Sequence, residues 1–204
     1  MANASIISGL RPVRNVHSGN YIGSMAKAHV AAADAVPLAV GDTVKLAGEA
    51  NPALISGYSF NEIEGAYPTV EKADPGDAVY GVVGGFEPRA VVGYEQAQYR
   101  EANVEMYVLV HTDPTLLYEV QAQTGTAFTG AMVGQTCSFV NGTIDTVYGR
   151  SGLEADLTTV ANAANTDLLI LGLQDRAADN EVGDLAKLLV KLNNTVFGTT
   201  TVGA

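Results

Sequence analysis

From Pro37 onward the chain is cut by turn signals roughly every 8 to 12 residues, and the stretches between them alternate apolar and polar side chains as strands do. Leu38 to Val40 and Thr43 to Leu46 flank Gly41-Asp42, whose glycine can take the positive φ of a type II′ hairpin turn. Tyr67 to Lys72 and Ala78 to Phe86 flank Asp74-Pro75-Gly76-Asp77, where proline presets the second turn position and glycine accepts the left-handed third. Val104, Met106, Val108 and Val110 alternate with Glu105, Tyr107, Leu109 and His111. Beyond Asp113-Pro114, Leu116, Tyr118, Val120 and Ala122 alternate with Leu117, Glu119, Gln121 and Gln123. Asn141-Gly142, between Thr136 to Val140 and Thr143 to Tyr148, predicts a type I′ turn that sets Phe139 opposite Ile144. Leu168 to Leu173 and the alternation of Leu188, Val190 and Leu192 bring the count to about ten short strands. The expected fold is mainly β: an antiparallel β-barrel or sandwich, with reversals at the four turns. Gly81 to Gly85 lies inside a strand pattern, where glycine marks a bulge or a close backbone approach. Gly48 to Gly65 reads as a long loop or irregular strand, and no internal repeat or low-complexity tract stands out.

The beginning of the chain follows different rules. Residues 1–23 carry Gly9, Pro12, Gly19 and Gly23 without sustained periodicity, and the alanine-rich stretch from Ser24 to Val36 suits either a short helix or an extended strand. No acid precedes Asp34, so residues 1–33 hold a charge of +3 and the remainder −14, for a total of −11. These features divide the 204 residues into an extended N-terminal docking arm, 1–36, and a β-rich body, 37–204. An acidic body repels phosphates, so direct nucleic-acid binding is not expected. A membrane span is not expected, for lack of an apolar run of about 18 residues, nor a secretory signal, because the N-terminus lacks a continuous apolar stretch followed by a small-residue cleavage site. The lone Cys137 excludes an intramolecular disulfide and a multi-cysteine zinc site, in keeping with synthesis in a reducing cytoplasm.

Residues that could carry chemistry are few. His17, His29 and His111 lack metal-ligand spacing, and Cys137 lies in a predicted strand beside Phe139, where cysteine acts as a small buried hydrophobe. Asp175, Asp179, Asn180, Glu181 and Asp184 lack the alternating ligand pattern of a calcium loop and read as a solvated acidic loop. The sequons at Asn3 and Asn141 are chance matches without a secretory route. No catalytic residue, metal or cofactor is expected.

Three segments, in order over roughly residues 37–198, carry a resemblance: GDAVYGVVGGFEP from Gly76, YVLVHTDPTLLYEVQ from Tyr107, and GLQDRAADNEVGDLAKLLVKLNN from Gly172. Together they resemble the decoration (cement) proteins of tailed-bacteriophage heads. The resemblance implies a β-rich accessory protein without a catalytic site. It would coat the assembled shell on the outer surface of the virion, be made in the host cytoplasm, and bind the major capsid protein partly through an extended arm. A homo-oligomer, trimer or dimer, goes with it, and neither nucleic acid nor membrane is a direct partner. Arg11, Arg14, Tyr21, Ile22 and Lys27 are the arm residues expected to make that contact, the arm being disordered until it docks. The alternatives are another phage structural subunit, of the tail tube or the head, and a carbohydrate-binding β-sandwich. The second would want aromatic platforms that a chain without tryptophan and with nine scattered tyrosines does not make evident.

Overall fold

The computed structural model describes residues 3–17, 23–55, 58, 63–89, 98–163, 166–176 and 179–198. Among them the chain forms strands β1 (Arg11–Asn15), β2 (Ala26–Val30), β3 (Leu38–Ala39), β4 (Thr43–Ala50), β5 (Pro68–Lys72), β6 (Gly81–Phe86), β7 (Tyr99–Arg100), β8 (Met106–His111), β9 (Leu116–Gln121), β10 (Thr136–Val140), β11 (Glu154–Ala161), β12 (Leu168–Leu173) and β13 (Lys187–Leu192). A short 3₁₀ turn at Gly130–Met132 is the one helical element among the described residues. The protein is mainly β, as its alternation predicts.

Strands β2-β5-β4-β6-β8 close into a barrel. Its interior is filled by Ala28, Val30, Val44, Val70, Val83, Phe86, Met106, Val108 and Val110, the inward half of each alternation. The remaining strands form a sheet in the order β1-β9-β13-β12-β10-β11. This sheet also curls on itself, because Ala122 at the end of β9 bridges Ala155 of β11 in parallel and the Gln123 amide donates to the Ala155 carbonyl at 2.8 Å. Tyr118, Val120, Phe139, Leu157, Leu168, Ile170, Leu188 and Val190 fill the second interior.

The two rings are copies of one topology. Take β2, β4, β5, β6 and β8 as the five strands of the first ring and β9 to β13 as those of the second. In both, the order around the ring is first, third, second, fourth, fifth. In both, the first and third strands are parallel, at His29↔Thr69 and Ala122↔Ala155, and every other pairing is antiparallel. The register also agrees where the fourth strand meets the second and the fifth, although the irregularity between the second and third strands falls at Leu46 to Ala50 in one ring and at Thr136 to Ser138 in the other. Thr43 pairs with Val82 as Thr136 pairs with Leu169, and each fourth strand bulges where it meets the fifth, between Val83 and Gly85 and between Ile170 and Gly172. The Gly41 amide donates to Val83 and the Val83 amide to Asp42, both at 2.8 Å; the Gly134 amide donates to Ile170 at 2.8 Å and the Ile170 amide to Gln135 at 2.9 Å. Both glycines have positive φ, 94° and 83°. The expectation of no internal repeat is therefore corrected. Val40-Gly41-Asp42-Thr43 and Val133-Gly134-Gln135-Thr136 are corresponding segments, and the likeness is hidden because the loops between strands differ in length.

Two expectations about local structure hold in part. Leu168 to Leu173 and Lys187 to Leu192 form an antiparallel pair, and Gly81 to Phe86 is a bulged strand. The four reversals, however, are not four hairpins. Asp74 to Asp77 closes as a turn, with the Asp77 amide donating to the Asp74 carbonyl at 3.0 Å and Gly76 at φ 91°, yet β4 lies between the strands it joins. The chain bends at Gly41-Asp42, but β3 pairs with β7 rather than with β4. The turn at Asp113-Pro114 carries the chain from one barrel to the other. Asn141-Gly142 packs against Gly152, neither residue has positive φ, and Phe139 faces Ala155 instead of Ile144. Turn residues determine where a chain bends. Which strands then pair depends on which faces are buried.

The N-terminal arm also needs correction. Residues 11–15 pair with β9, residues 26–30 complete the first barrel, and Leu10 is buried in the second core. The Asn3 side chain donates to the carbonyls of Glu181 (2.9 Å) and Asp184 (2.8 Å) and accepts from the Glu181 amide, and the Ile6 amide donates to Gln121. The buried Arg100 guanidinium ties residues 31–36 to β7 by donating to the carbonyls of Ala31, Asp34 and Val36 and to the Asp34 carboxylate. A division at residue 36 does not match this packing. Alternation over so short and alanine-rich a stretch gives too little contrast to mark β2 as a barrel strand.

Candidate interaction surface

In both barrels the loop between the second and third strands carries the most exposed apolar side chains among the described residues: Ile63 (80%) and Leu54 (66%) in the first, Val147 (70%) and Tyr148 (69%) in the second. One polar side chain shapes each loop. Buried Asn51 donates to the Ile63 carbonyl at 3.1 Å and accepts from the Tyr67 amide at 2.8 Å, while Ile55 and Tyr58 tuck beneath. In the second loop the Asp145 carboxylate accepts from the amides of Val147 (2.9 Å) and Tyr148 (3.2 Å), and Asp145 and Arg150 exchange backbone hydrogen bonds. Gly149 turns at φ 65° with its backbone against Gln98, leaving no room for a side chain. The Arg150 guanidinium lies 5.6 Å from the Tyr148 ring centroid. These hydrogen bonds hold the described parts of both loops, and tyrosine beside arginine is a frequent binding hot spot.

A cleft of about 320 Å³ opens beside the second loop, with Leu10, Pro12, Met25, Val40 and Val83 along its apolar walls and Arg11 and Arg150 at its edge. A bulge between Pro12 and Arg14 places Arg11 and Arg14 opposite Glu119 and Leu117, on one side of β1. Arg11 reaches Glu119 at 3.5 Å, a carboxylate that Arg176 already holds at 2.8 Å. Among the described residues no carboxylate lies within 4 Å of Arg14 or Arg150, whereas Lys45, Lys72 and Arg100 pair with Asp77, Asp42 and Asp34 at 2.9 to 3.1 Å. Met25 and His111 close the inner end of the cleft around Gly84, where a Cβ would run into the imidazole and the methionine sulfur. Burial pulls the His111 pKa down.

Of the five residues expected in a docking arm, Arg11 lines this cleft and Arg14 stands beside it on β1. Lys27 does neither. It pairs with Glu87 at 2.8 Å and lies 3.9 Å from the Tyr107 ring centroid, inside a cluster with Tyr67. Tyr21 and Ile22 lie outside the described residues. His17 is exposed. His29 stands at the parallel seam of the first barrel, Nε2 at 3.1 Å from Glu105 and Nδ1 at 2.9 Å from the Thr69 hydroxyl. The carboxylate demands Nε2–H, so Nδ1 accepts from threonine. Burial lowers the His29 pKa, with Glu105 opposing it. Cys137 is buried, and burial pushes its thiol up to about 12. The acidic loop is solvent-facing and tied down, Asp179 by Arg176 at 3.4 Å and Asp184 by the Gly125 amide at 3.0 Å. Among the described residues no three His, Cys, Asp or Glu side chains are placed to hold a metal ion.

Compared with known proteins, the chain matches no family model, no curated protein and no solved structure. The exposed loop residues were not foreseen from the sequence, because Val147-Tyr148 continues an apparent strand after Asn141-Gly142. The signal was Asp145 two residues before Val147 with Gly149 beyond it, which marks an Asx turn.

Proposed function

We propose that this protein is a structural virion component that coats the capsid of a tailed bacteriophage and binds its major capsid protein through the two corresponding loops. The observation that carries the reading is the duplicated presentation of apolar side chains, Leu54 and Ile63 on one barrel and Val147 and Tyr148 on the other, each on a turn tied down by a polar side chain. The resemblance of three segments to decoration proteins supplies the setting. Two modest contacts on one chain act together, since once one loop is bound the other meets its site at high effective concentration. The test is co-sedimentation of the purified chain with preformed capsids lacking it. Ile63→Ser and Tyr148→Ser should each lower occupancy, and the pair should lower it by more than the product of the two. Both side chains are solvent-facing, so the thermal midpoint should not move. Unchanged coating by the double variant would refute attachment through the loops, and wild-type protein that never sediments with capsids would refute the function.

A further inference from the structure

The cleft has a counterpart elsewhere on the same molecule. Arg11 and Arg150 line the cleft and Arg14 stands beside Arg11 on the same side of β1, and among the described residues neither Arg14 nor Arg150 has a carboxylate within 4 Å, on a protein whose net charge is −11. The cleft walls leave Met25 and Val40 partly open to solvent. Residues 179–184, between β12 and β13, have the opposite character. Asp179, Glu181 and Asp184 are exposed, and Val182 projects between them at 60% exposure. This loop is also held in shape. Asn180 donates to the carbonyls of Gln174 (2.8 Å) and Lys187 (2.7 Å), Asp184 accepts from the Gly125 amide, and Asn3 bonds the backbone at Glu181 and Asp184. Residues 3–10 run from this loop, where Asn3 is bound, to the cleft, where Leu10 is bound through Gly41. One molecule's loop and cleft are thus fixed at the two ends of a bonded segment and cannot meet each other.

We propose that the 179–184 loop of one copy seats in the cleft of a second copy of this chain. Val182 rests on Pro12, Met25 and Val40, and the carboxylates face Arg11, Arg14 and Arg150. Arginine suits the role because its planar fork grips carboxylates in two places at once. Cleft and loop are different surfaces, so the contact is heterologous: each copy offers both halves, and the assembly grows head to tail until it closes into a ring. This inference does not depend on the capsid reading and is tested without capsids.

The experiment is sedimentation of the full chain over a range of concentrations. Wild-type protein should associate beyond a dimer, and raised salt should weaken the association. Arg150→Glu disables the cleft and Val182→Arg the loop, and each should sediment as a monomer. Mixed in equal amounts they should form a dimer and nothing larger, because one intact cleft then meets one intact loop. Arg14→Glu, outside both loops, serves if Arg150→Glu fails to fold, with the thermal midpoint as the control. Monomeric wild type at every concentration overturns the proposal. So does an oligomer indifferent to the substitutions, or a mixture that stays monomeric.

Discussion

Gly41 and Gly134 occupy the same position in the two barrels, so a matched pair of substitutions separates backbone strain from crowding. Both have positive φ, 94° and 83°, which costs an alanine about 1 to 2 kcal/mol. A Cβ on Gly134 would meet nothing within 4 Å. On Gly41 it would lie 2.7 Å from the Ser8 carbonyl oxygen, 3.1 Å from the Gly9 Cα and 3.2 Å from the Leu10 nitrogen. Gly41→Ala must therefore lift the segment that crosses it. That loses the hydrogen bond from Leu10 to Gly41, about 1 kcal/mol, and uncovers part of Leu10, whose full burial contributes about 1.5 to 3 kcal/mol. Gly41→Ala should be less stable than Gly134→Ala by about 2 to 3 kcal/mol. For a chain of this length that lowers the thermal midpoint by about 5 to 10 °C more. Urea unfolding followed by circular dichroism measures the difference directly. Equal losses in the two variants would show either that residues 8–10 do not pack on Gly41 or that the two barrels do not correspond.

The titrating groups make further predictions. Burial lowers the His29 pKa, so its contribution to stability is complete above pH 6.5 and is lost as the pH falls through the lowered folded value. His29→Gln, which copies the residue at the corresponding Gln121, should fold and remove that loss, leaving in acid-dependent denaturation the share due to His111 and, at lower pH, that of Asp77, whose carboxyl the Lys45 ammonium holds down. Asp167 is buried and its carboxyl is raised by burial, so its contribution is complete below pH 3.8 and is lost as the pH rises through the raised value. Asp167→Asn should flatten this part of the pH profile of urea stability. Cys137, with its thiol near 12, should ignore a thiol-reactive dye in the native protein and react once urea unfolds it. Deleting residues 1–15 should destabilise the second barrel, because Leu10 and β1 belong to it. An unchanged melting midpoint would restore the free arm.

The strands themselves were legible because their alternation is set by burial on one face, as in Leu116 to Ala122 and Leu188 to Leu192. The glycines of β6 were legible too, since only a bulge or a close approach explains so many in one strand. Ring order was not legible, because β5 and β6 are joined by a good turn and yet are separated by β4, a choice made by contacts distant in sequence. Nor was the role of Ala26 to Val30, where alanine fills a narrow barrel but carries little hydrophobic contrast. At the candidate surface, charge asymmetry pointed to Arg11 and Arg14, but Arg150 could join them only once the chain had folded. Lys27 shared their charge, and its neighbours Glu87 and Tyr107 remove it from the surface.

Having two barrels in one chain also fixes their ratio. Separate subunits would need a specific interface to stay at one to one, whereas here the peptide at Asp113-Pro114 does it. Corresponding positions are then free to diverge: an imidazole at residue 29 answers to acid, and the amide at residue 121 does not. A shell built from one repeated protein presents neighbouring sites that are alike but not identical. A chain with two heads that are alike but not identical can match such a pair of sites with a single gene product.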